Sequence, residues 1–190
     1  MNISNALTVS RIFLTFIFMY FLFAGFAGAK YFAFLVFLSA SLTDYYDGYF
    51  ARKSGKITDF GKLMDPIADK ILVLSAFLAF VELKLIPAWM VLIIVAREVT
   101  VTGLRIFALS KGKVIEAEEA GKHKTVSQMI AIFMILIFLM FKEAGKSLYF
   151  WNLDTEIWFK NLIFIVMLIT AALTLTSGIS FFTKNKRLFS

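Results

Sequence analysis

Long apolar runs with few charges dominate this 190-residue chain. A helix needs about 20 apolar residues to cross the hydrocarbon core of a bilayer, so the chain has room for six spans joined by short loops. The sequence lacks the alternation of apolar and polar residues that is typical of a membrane β-barrel. Helices are then the structure that can satisfy the backbone hydrogen-bonding groups in lipid. The runs that we identify as spans are Ala6–Ala24, Tyr31–Phe50, Ile67–Val81, Pro87–Leu109, Val126–Phe141 and Trp158–Phe182.

The composition supports the same fold class. Hydrophobic residues make up 60% of the chain and charged residues 17%, whereas soluble domains have roughly 45–50% and about 25%. The chain has no cysteine, which argues against a secreted disulfide scaffold. We therefore predict an all-α, polytopic membrane protein with six transmembrane helices, in which residues 1–190 form a single integral-membrane domain.

The net charge of +7 lies beside the apolar runs. This placement is typical of contacts with anionic headgroups and of topology signals, and it argues against a nucleic-acid partner. The positive-inside rule predicts that both termini are cytoplasmic. We also expect the protein in the inner (cytoplasmic) membrane of the cell. The basic residues on the predicted cytoplasmic side are Arg52, Lys53, Lys56, Lys62, Lys111, Lys113, Lys122, Lys124, Lys184, Lys186 and Arg187.

The first apolar run has an alternative interpretation. Arg11, the run itself and the small residues Ala27, Gly28 and Ala29 together resemble a signal peptide with its cleavage site. We favour a span, because the run is long enough to cross a membrane and the next apolar run follows at once.

Two acidic residues interrupt the end of the second predicted span. Asp44, Asp47, Gly48 and Ala51 stand at i, i+3, i+4 and i+7, so they share one stripe of a helix. An acidic side chain within a membrane span costs about 2.5–3.5 kcal/mol on insertion scales, and such residues usually have a function.

The next segment carries a matching stripe. Gly61, Asp65 and Asp69 stand at i, i+4 and i+8, which is again one face if the segment is helical. A short basic loop joins the two segments, so we expect antiparallel neighbours whose aspartates converge at the cytoplasmic edge of the bilayer. The small residues Gly48, Ala51 and Gly61 leave room for a ligand to approach the backbone.

Four converging carboxylates repel one another and bind protons unless cations neutralise them. Their oxygens favour hard divalent ions, Mg²⁺ or Mn²⁺, over Zn²⁺, since His123 is the one softer ligand in the sequence. Four acids can hold two such ions, and a two-metal site suits phosphoryl-type displacement. The alternative is four interfacial carboxylates that reach water or pair with Arg52, Lys62 and Lys70.

The segment from Asp44 to Asp69 resembles the signature of the CDP-alcohol phosphatidyltransferases. That pattern, D-x-x-D-G-x-x-A-R-x8-G-x3-D-x3-D, has every fixed position present at the correct spacing. Further likeness to the phosphatidylglycerophosphate synthase branch extends from residue 2 to about 125. The segments that carry it are 2–11, Asp65–Lys70, Ala96–Arg105 and Gly121–Thr125. The final third resembles no more than a generic pair of apolar helices.

The resemblance implies a reaction and an assembly. A free hydroxyl of sn-glycerol 3-phosphate would attack CDP-diacylglycerol, and phosphatidylglycerophosphate and CMP would form in a reaction that requires Mg²⁺ or Mn²⁺. The resemblance also implies a homodimer. Related acceptors, namely serine, inositol phosphate or a second lipid as in cardiolipin synthesis, remain alternatives. From a different class, a divalent-cation transporter also remains, although its acids would be expected near the midplane of the membrane.

The resemblance also implies roles for individual residues. Asp44, Asp47, Asp65 and Asp69 would be the metal ligands, and Asp69 would also take the proton of the attacking hydroxyl as general base. The residues expected to border the CDP-diacylglycerol are Gly48, Ala51, Arg52 and Gly61, together with Thr8 and Arg11 near the nucleotide.

A phosphorylated acceptor needs cations of its own. Arginine and lysine both suit phosphate, and the candidates are Arg97 and Arg105 on the fourth span and Lys122 and Lys124 before the fifth. The alternative for the lysines is a topology signal, and for Arg105 an interfacial arginine that reaches water.

Two expectations concern the surroundings of these cations. Glu98 lies about 100° around the helix from Arg97, so we do not expect the two to pair. The run from Lys111 to Lys124 predicts a solvated loop, in which His123 lies away from the site.

Overall fold

The computed structural model describes residues 3–54, 59–110, 119–147 and 151–185, with side chains described over 9–43, 67–68, 70–108, 121–145 and 151–185. Helices account for nearly all of this part of the chain, which confirms the all-α prediction. They are α1 (Ile3–Phe23), α2 (Ala29–Ser54), α3 (Asp59–Glu82), α4 (Ala88–Ser110), α5 (Glu119–Ser147) and α6 (Leu153–Lys184).

Each predicted span matches one helix to within a residue at either end or lies inside it, and α3 and α5 show the largest extension before the predicted span. α3 begins at Asp59 instead of Ile67, and α5 begins at Glu119 instead of Val126. Hydropathy detects the apolar part of a helix, whereas these two helices continue into polar sequence. The loop predicted through Lys124 is therefore wrong from residue 119 onward, and residues 111–118 lie outside the described residues.

Among the residues that the structure describes, two helices are long and apolar enough to cross a membrane. These helices are Gly121–Gly145 and Leu153–Lys184, with mean hydropathies of 2.0 and 2.4. In the most apolar stretch of each helix, 44% and 39% of the residues are buried. The core helix of a soluble protein is mostly buried, whereas more than half of each stretch here is not. Val9–Phe23 and Ala29–Thr43 are shorter apolar helices. These features support a membrane protein, and the crossing of all six helices stays a prediction.

Backbone contacts divide the chain into two compact units, which we describe separately. Unit 1 comprises Met1–Ala79 and Ile135–Glu156, and unit 2 comprises Phe80–Met134 and Ile157–Ser190. All four predicted metal ligands belong to unit 1, and all four predicted acceptor-binding cations belong to unit 2.

In unit 1, α1 and α2 pack against each other along complementary faces. The buried residues of α1 recur at i, i+4, i+7 and i+11, as one helical stripe requires, and the buried residues of α2 are mostly alanines that allow close approach. The aromatic rings of Phe18 and Phe37 meet at a centroid distance of 5.3 Å. The opposite face of α1 leaves large apolar side chains exposed, among them Phe13, Phe16 and Tyr20.

The turn between α1 and α2 is held by two charged side chains. The carboxylate of Glu143 accepts hydrogen bonds from the backbone N–H groups of Gly28 (2.7 Å) and Lys30 (3.2 Å). The Lys30 ammonium donates to the carbonyls of Leu22 (2.8 Å) and Ala24 (3.1 Å). An acid thus caps the beginning of α2 and a base caps the end of α1, as the helix dipoles favour. Gly28 has a φ of 90°, which favours glycine.

In unit 2, α4 follows a tight turn after α3. The N–H groups of Lys84 and Leu85 donate to the carbonyls of Val81 (2.9 Å) and Phe80 (3.0 Å), the pairing of a Schellman motif. Pro87 directly precedes α4, where its fixed φ is tolerated. The side chains of α4, α5 and α6 that are buried in this unit include a polar set, which the next subsection describes.

We predict that Glu143→Ala lowers the free energy of unfolding by about 1–2 kcal/mol, because two helix-end N–H groups lose a charged acceptor. Thermal unfolding in detergent, followed by circular dichroism, measures this change. Glu82→Ala is the control, since Glu82 is exposed at the end of α3, where a negative charge opposes the helix dipole. An equal loss in both variants would contradict the capping role.

Candidate active site

The acidic stripes predicted from the sequence lie on helical backbone. Asp44 and Asp47 belong to α2, and Asp65 and Asp69 belong to α3. The condition that the second segment be helical is therefore met, and the spacings place each pair on one face of its helix. Residues 55–58 and the side chains of the aspartates, Gly48, Ala51, Arg52 and Gly61 lie outside the described part of the chain. Their convergence on metal ions thus stays a prediction.

The donor set of the two stripes fits hard divalent cations. Its members are carboxylates, the ligands that Mg²⁺ and Mn²⁺ prefer. Among the side chains that the structure describes, no group of three or more His, Asp or Glu residues could hold a metal ion.

Arg11, predicted to lie near the nucleotide, is on the buried face of α1. Only 2% of the residue is exposed, and Thr15, one turn later, donates a hydrogen bond of 2.9 Å to its carbonyl. The guanidinium is charged at any physiological pH, so unit 1 holds a permanent cation in its interior. The side chain of Thr8 lies outside the described residues.

A buried polar cluster occupies the interior of unit 2. Its centre is Oε1 of Glu98 on α4, which forms an ion pair with Nζ of Lys124 on α5. The Gln128 amide nitrogen, one turn further along α5, lies 3.4 Å from the same oxygen. The side chains of Glu98 and Lys124 are 2% and 4% exposed. Burial of either charge alone would be strongly unfavourable, and their pairing offsets much of that penalty.

Arg97 joins this cluster and extends it to α6. One terminal nitrogen of its guanidinium lies 3.4 Å from Oε1 of Glu98, and the other donates a hydrogen bond of 2.8 Å to Oγ of Ser177. The aliphatic part of the side chain passes close to α6, because a Cβ added to Gly178 would lie 3.2 Å from Cγ of Arg97.

The contact between Arg97 and Glu98 corrects one expectation. Adjacent residues point about 100° apart on a helix, yet these two form a salt bridge. Both side chains are long enough to bend inward, and both do so because Lys124 and Ser177 supply polar partners there. The helical angle gives the direction in which a side chain leaves the backbone, whereas its polar partners determine where its charged group lies.

The remaining predicted cations lie in different surroundings. Lys122 is exposed on the first turns of α5, as is His123, so His123 lies on a helix and not in the predicted loop. Arg105 is half-buried, and its Nε is buried without a hydrogen-bond acceptor among the described residues. The structure therefore brings Arg97 and Lys124 to one carboxylate, and it does not bring Lys122 to that cluster.

The sequence analysis missed the contribution of α6. Thr170, Thr174, Ser177 and Gly178 are buried at i, i+4, i+7 and i+8, a polar and small stripe on an otherwise apolar helix. Thr170 donates a hydrogen bond of 3.3 Å to the Ser127 carbonyl of α5. This spacing is visible in the sequence, but the apolar residues around it led us to a generic span.

The chain matches a known family over most of its length. The model of the CDP-alcohol phosphatidyltransferase family matches residues 1–176. The match therefore extends beyond residue 125, where the resemblance that we noted ended, and includes most of α6.

Two curated bacterial relatives carry the same name, CDP-diacylglycerol–glycerol-3-phosphate 3-phosphatidyltransferase. The protein of Bacillus subtilis (strain 168) is 36% identical over an alignment that covers 97% of this chain and 95% of that protein. The protein of Rickettsia bellii (strain RML369-C) is 33% identical over 188 residues, which cover 99% and 97%. The extent of these matches, together with the family model, shows that the chain belongs to the CDP-alcohol phosphatidyltransferase family.

Proposed function

We propose that this protein transfers the phosphatidyl group of CDP-diacylglycerol to sn-glycerol 3-phosphate, forming phosphatidylglycerophosphate and CMP in phospholipid biosynthesis. The observation that carries the proposal is the near-full-length similarity to relatives named for this reaction. The complete aspartate signature from Asp44 to Asp69 is its support within the chain itself.

The four aspartates are the centre of the proposed chemistry. Asp44, Asp47, Asp65 and Asp69 would hold two Mg²⁺ or Mn²⁺ ions, which when bound offset charge on the attacking and leaving oxygens. A free hydroxyl oxygen of the acceptor forms a bond to the phosphorus nearest the diacylglycerol. The bond from that phosphorus to the CMP oxygen breaks, and Asp69 accepts the hydroxyl proton.

The residues around the aspartates are proposed to bind the lipid nucleotide. Arg52 offsets the negative charge of the diphosphate, which otherwise repels the incoming acceptor. The small residues Gly48, Ala51 and Gly61 border the CDP group. Thr8 and Arg11 are assigned to the nucleotide from the family resemblance.

The phosphate of the acceptor is assigned to the basic residues of unit 2. Arg105 and Lys122 are the simplest candidates, because one has a buried guanidinium nitrogen and the other an exposed ammonium group. Arg97 and Lys124 approach the same carboxylate of Glu98, and both side chains are cations of the kind that bind phosphate.

The membrane arrangement completes the proposal. We propose six membrane-spanning helices, both termini and the active site on the cytoplasmic side of the inner membrane, and a homodimer. The exposed apolar faces of the helices support a lipid environment, in which the acyl chains of the substrate need no soluble pocket.

An acceptor panel tests the function. The purified protein is supplied with CDP-diacylglycerol and Mn²⁺, and with sn-glycerol 3-phosphate, inositol phosphate, serine or phosphatidylglycerol in parallel. We expect CMP release and a product of the mass of phosphatidylglycerophosphate with the first acceptor, and loss of both after chelation. A preference for another acceptor would reassign the enzyme within its family, and no CMP release with any acceptor would favour an ion-transport function.

We predict that Asp69→Asn lowers kcat at least about 100-fold, because a general base typically contributes 10²- to 10⁴-fold. Binding of Mn²⁺ and of CDP-diacylglycerol, measured by calorimetry, should largely survive. Asp154→Asn is the matched control, since Asp154 is an exposed acid in the first turn of α6. Retention of most activity in the Asp69 variant would refute its role as base.

We predict that Arg105→Ala raises KM for sn-glycerol 3-phosphate about tenfold or more and leaves KM for CDP-diacylglycerol within about twofold. The reason is the loss of a charged hydrogen bond to phosphate, worth about 1.5–3 kcal/mol. Steady-state kinetics with each substrate varied in turn measure both constants. Lys160→Ala removes an exposed cation as the control, and equal changes in both constants would remove Arg105 from the acceptor site.

A further inference from the structure

Arg97 is held from two sides within unit 2. Glu98 faces one terminal nitrogen of the guanidinium at 3.4 Å, and Ser177 accepts a hydrogen bond from the other at 2.8 Å. A guanidinium is planar and rigid, so two partners on different nitrogens fix the orientation of its plane. The remaining donors then point in defined directions.

Arg97 is also the most exposed charged member of the cluster. Its side chain is 12% exposed, against 2% for Glu98 and 4% for Lys124. Among these three side chains, Arg97 is therefore the one that an anion can reach most easily. A phosphate meets a preoriented arginine at a lower entropic cost than a freely rotating one.

Gly178 is the second feature of α6 that bears on Arg97. Replacement of glycine by alanine inside a helix ordinarily stabilises the helix by about 1 kcal/mol. Here the added Cβ would lie 3.2 Å from Cγ of Arg97, closer than ordinary van der Waals contact. The arginine would have to move by a few tenths of an ångström, and we expect this shift to weaken its hydrogen bond to Ser177.

We infer that Ser177 and Gly178 of α6 are positioning residues, which together with Glu98 orient the Arg97 guanidinium for the phosphate of the acceptor. This inference rests on the proposed function and deepens it. It assigns control of acceptor affinity to a helix that carries no part of the aspartate signature. The alternative is that the same contacts serve only to pack α6 against α4.

Kinetics of two variants separate these possibilities. We expect Ser177→Ala and Gly178→Ala each to raise KM for sn-glycerol 3-phosphate about five- to tenfold, as loss or misalignment of a charged hydrogen bond predicts. KM for CDP-diacylglycerol should stay within about twofold. The midpoint of thermal unfolding of Gly178→Ala should not fall, because alanine favours the helix.

Each variant has a matched control in the chain. Thr176→Ala removes an exposed hydroxyl that bonds to the Leu173 carbonyl of its own helix, one position before Ser177. Gly103→Ala adds a methyl group to α4 at a point where a Cβ meets nothing within 4 Å. Both controls should leave the two KM values within about twofold of the parent protein.

A double-mutant cycle tests whether Ser177 acts through Arg97. Arg97→Ala alone should raise KM for sn-glycerol 3-phosphate about tenfold or more. In that background Ser177→Ala should add less than a twofold change, since coupled residues are non-additive. If Ser177→Ala had its full effect without Arg97, or if both KM values rose together as the unfolding midpoint fell, the positioning role would be overturned. The double-mutant cycle does not use Gly178→Ala, so it tests the positioning role even if that variant does not fold.

The parent protein in the same assay separates this inference from the proposed function. If the parent releases CMP with sn-glycerol 3-phosphate and the α6 variants keep its KM, the function stands and the positioning role is lost. If the parent prefers an acceptor without a phosphate, the proposed function is lost and the inference with it.

Discussion

A charge inside an apolar helical bundle must be met by a partner, because neither lipid nor the bundle solvates it. In the described part of unit 2, Oε1 of Glu98 is such a partner: it pairs with Lys124 and also faces Gln128 and Arg97. Removal of either partner of such a pair leaves the other uncompensated. The carboxylate of Glu98 therefore links α4 to α5 in this unit.

The same constraint governs the helix ends in unit 1. The first N–H groups and the last carbonyls of a helix lack partners within it. Glu143 supplies an acceptor to the beginning of α2, and Lys30 supplies donors to the end of α1. Each charged side chain has the sign that the helix dipole favours. In both units the charged residues satisfy polar groups that the apolar sequence around them cannot.

The sequence predicted what depends on local patterns and missed what depends on partners between helices. Apolar runs located the six helices, and spacing placed the aspartate pairs on single faces of α2 and α3. The starts of α3 and α5 were wrong because hydropathy does not report a helix that continues into polar sequence. Arg97 and Glu98 were judged from their helical angle alone, whereas Ser177 and Lys124, which draw them inward, are distant in the sequence.

The polar stripe on α6 follows from the same reasoning. An acceptor with its own phosphate has to be bound by cations, and a bundle of apolar helices can hold cations only with their partners. Full neutralisation of these cations would remove their attraction for phosphate. Cations without any counter-charge would destabilise the bundle. Arg97 and Lys124 share the carboxylate of Glu98 as one such partner. The Ser177 hydroxyl then orients the arginine without reducing its charge, which a second carboxylate at that position would do.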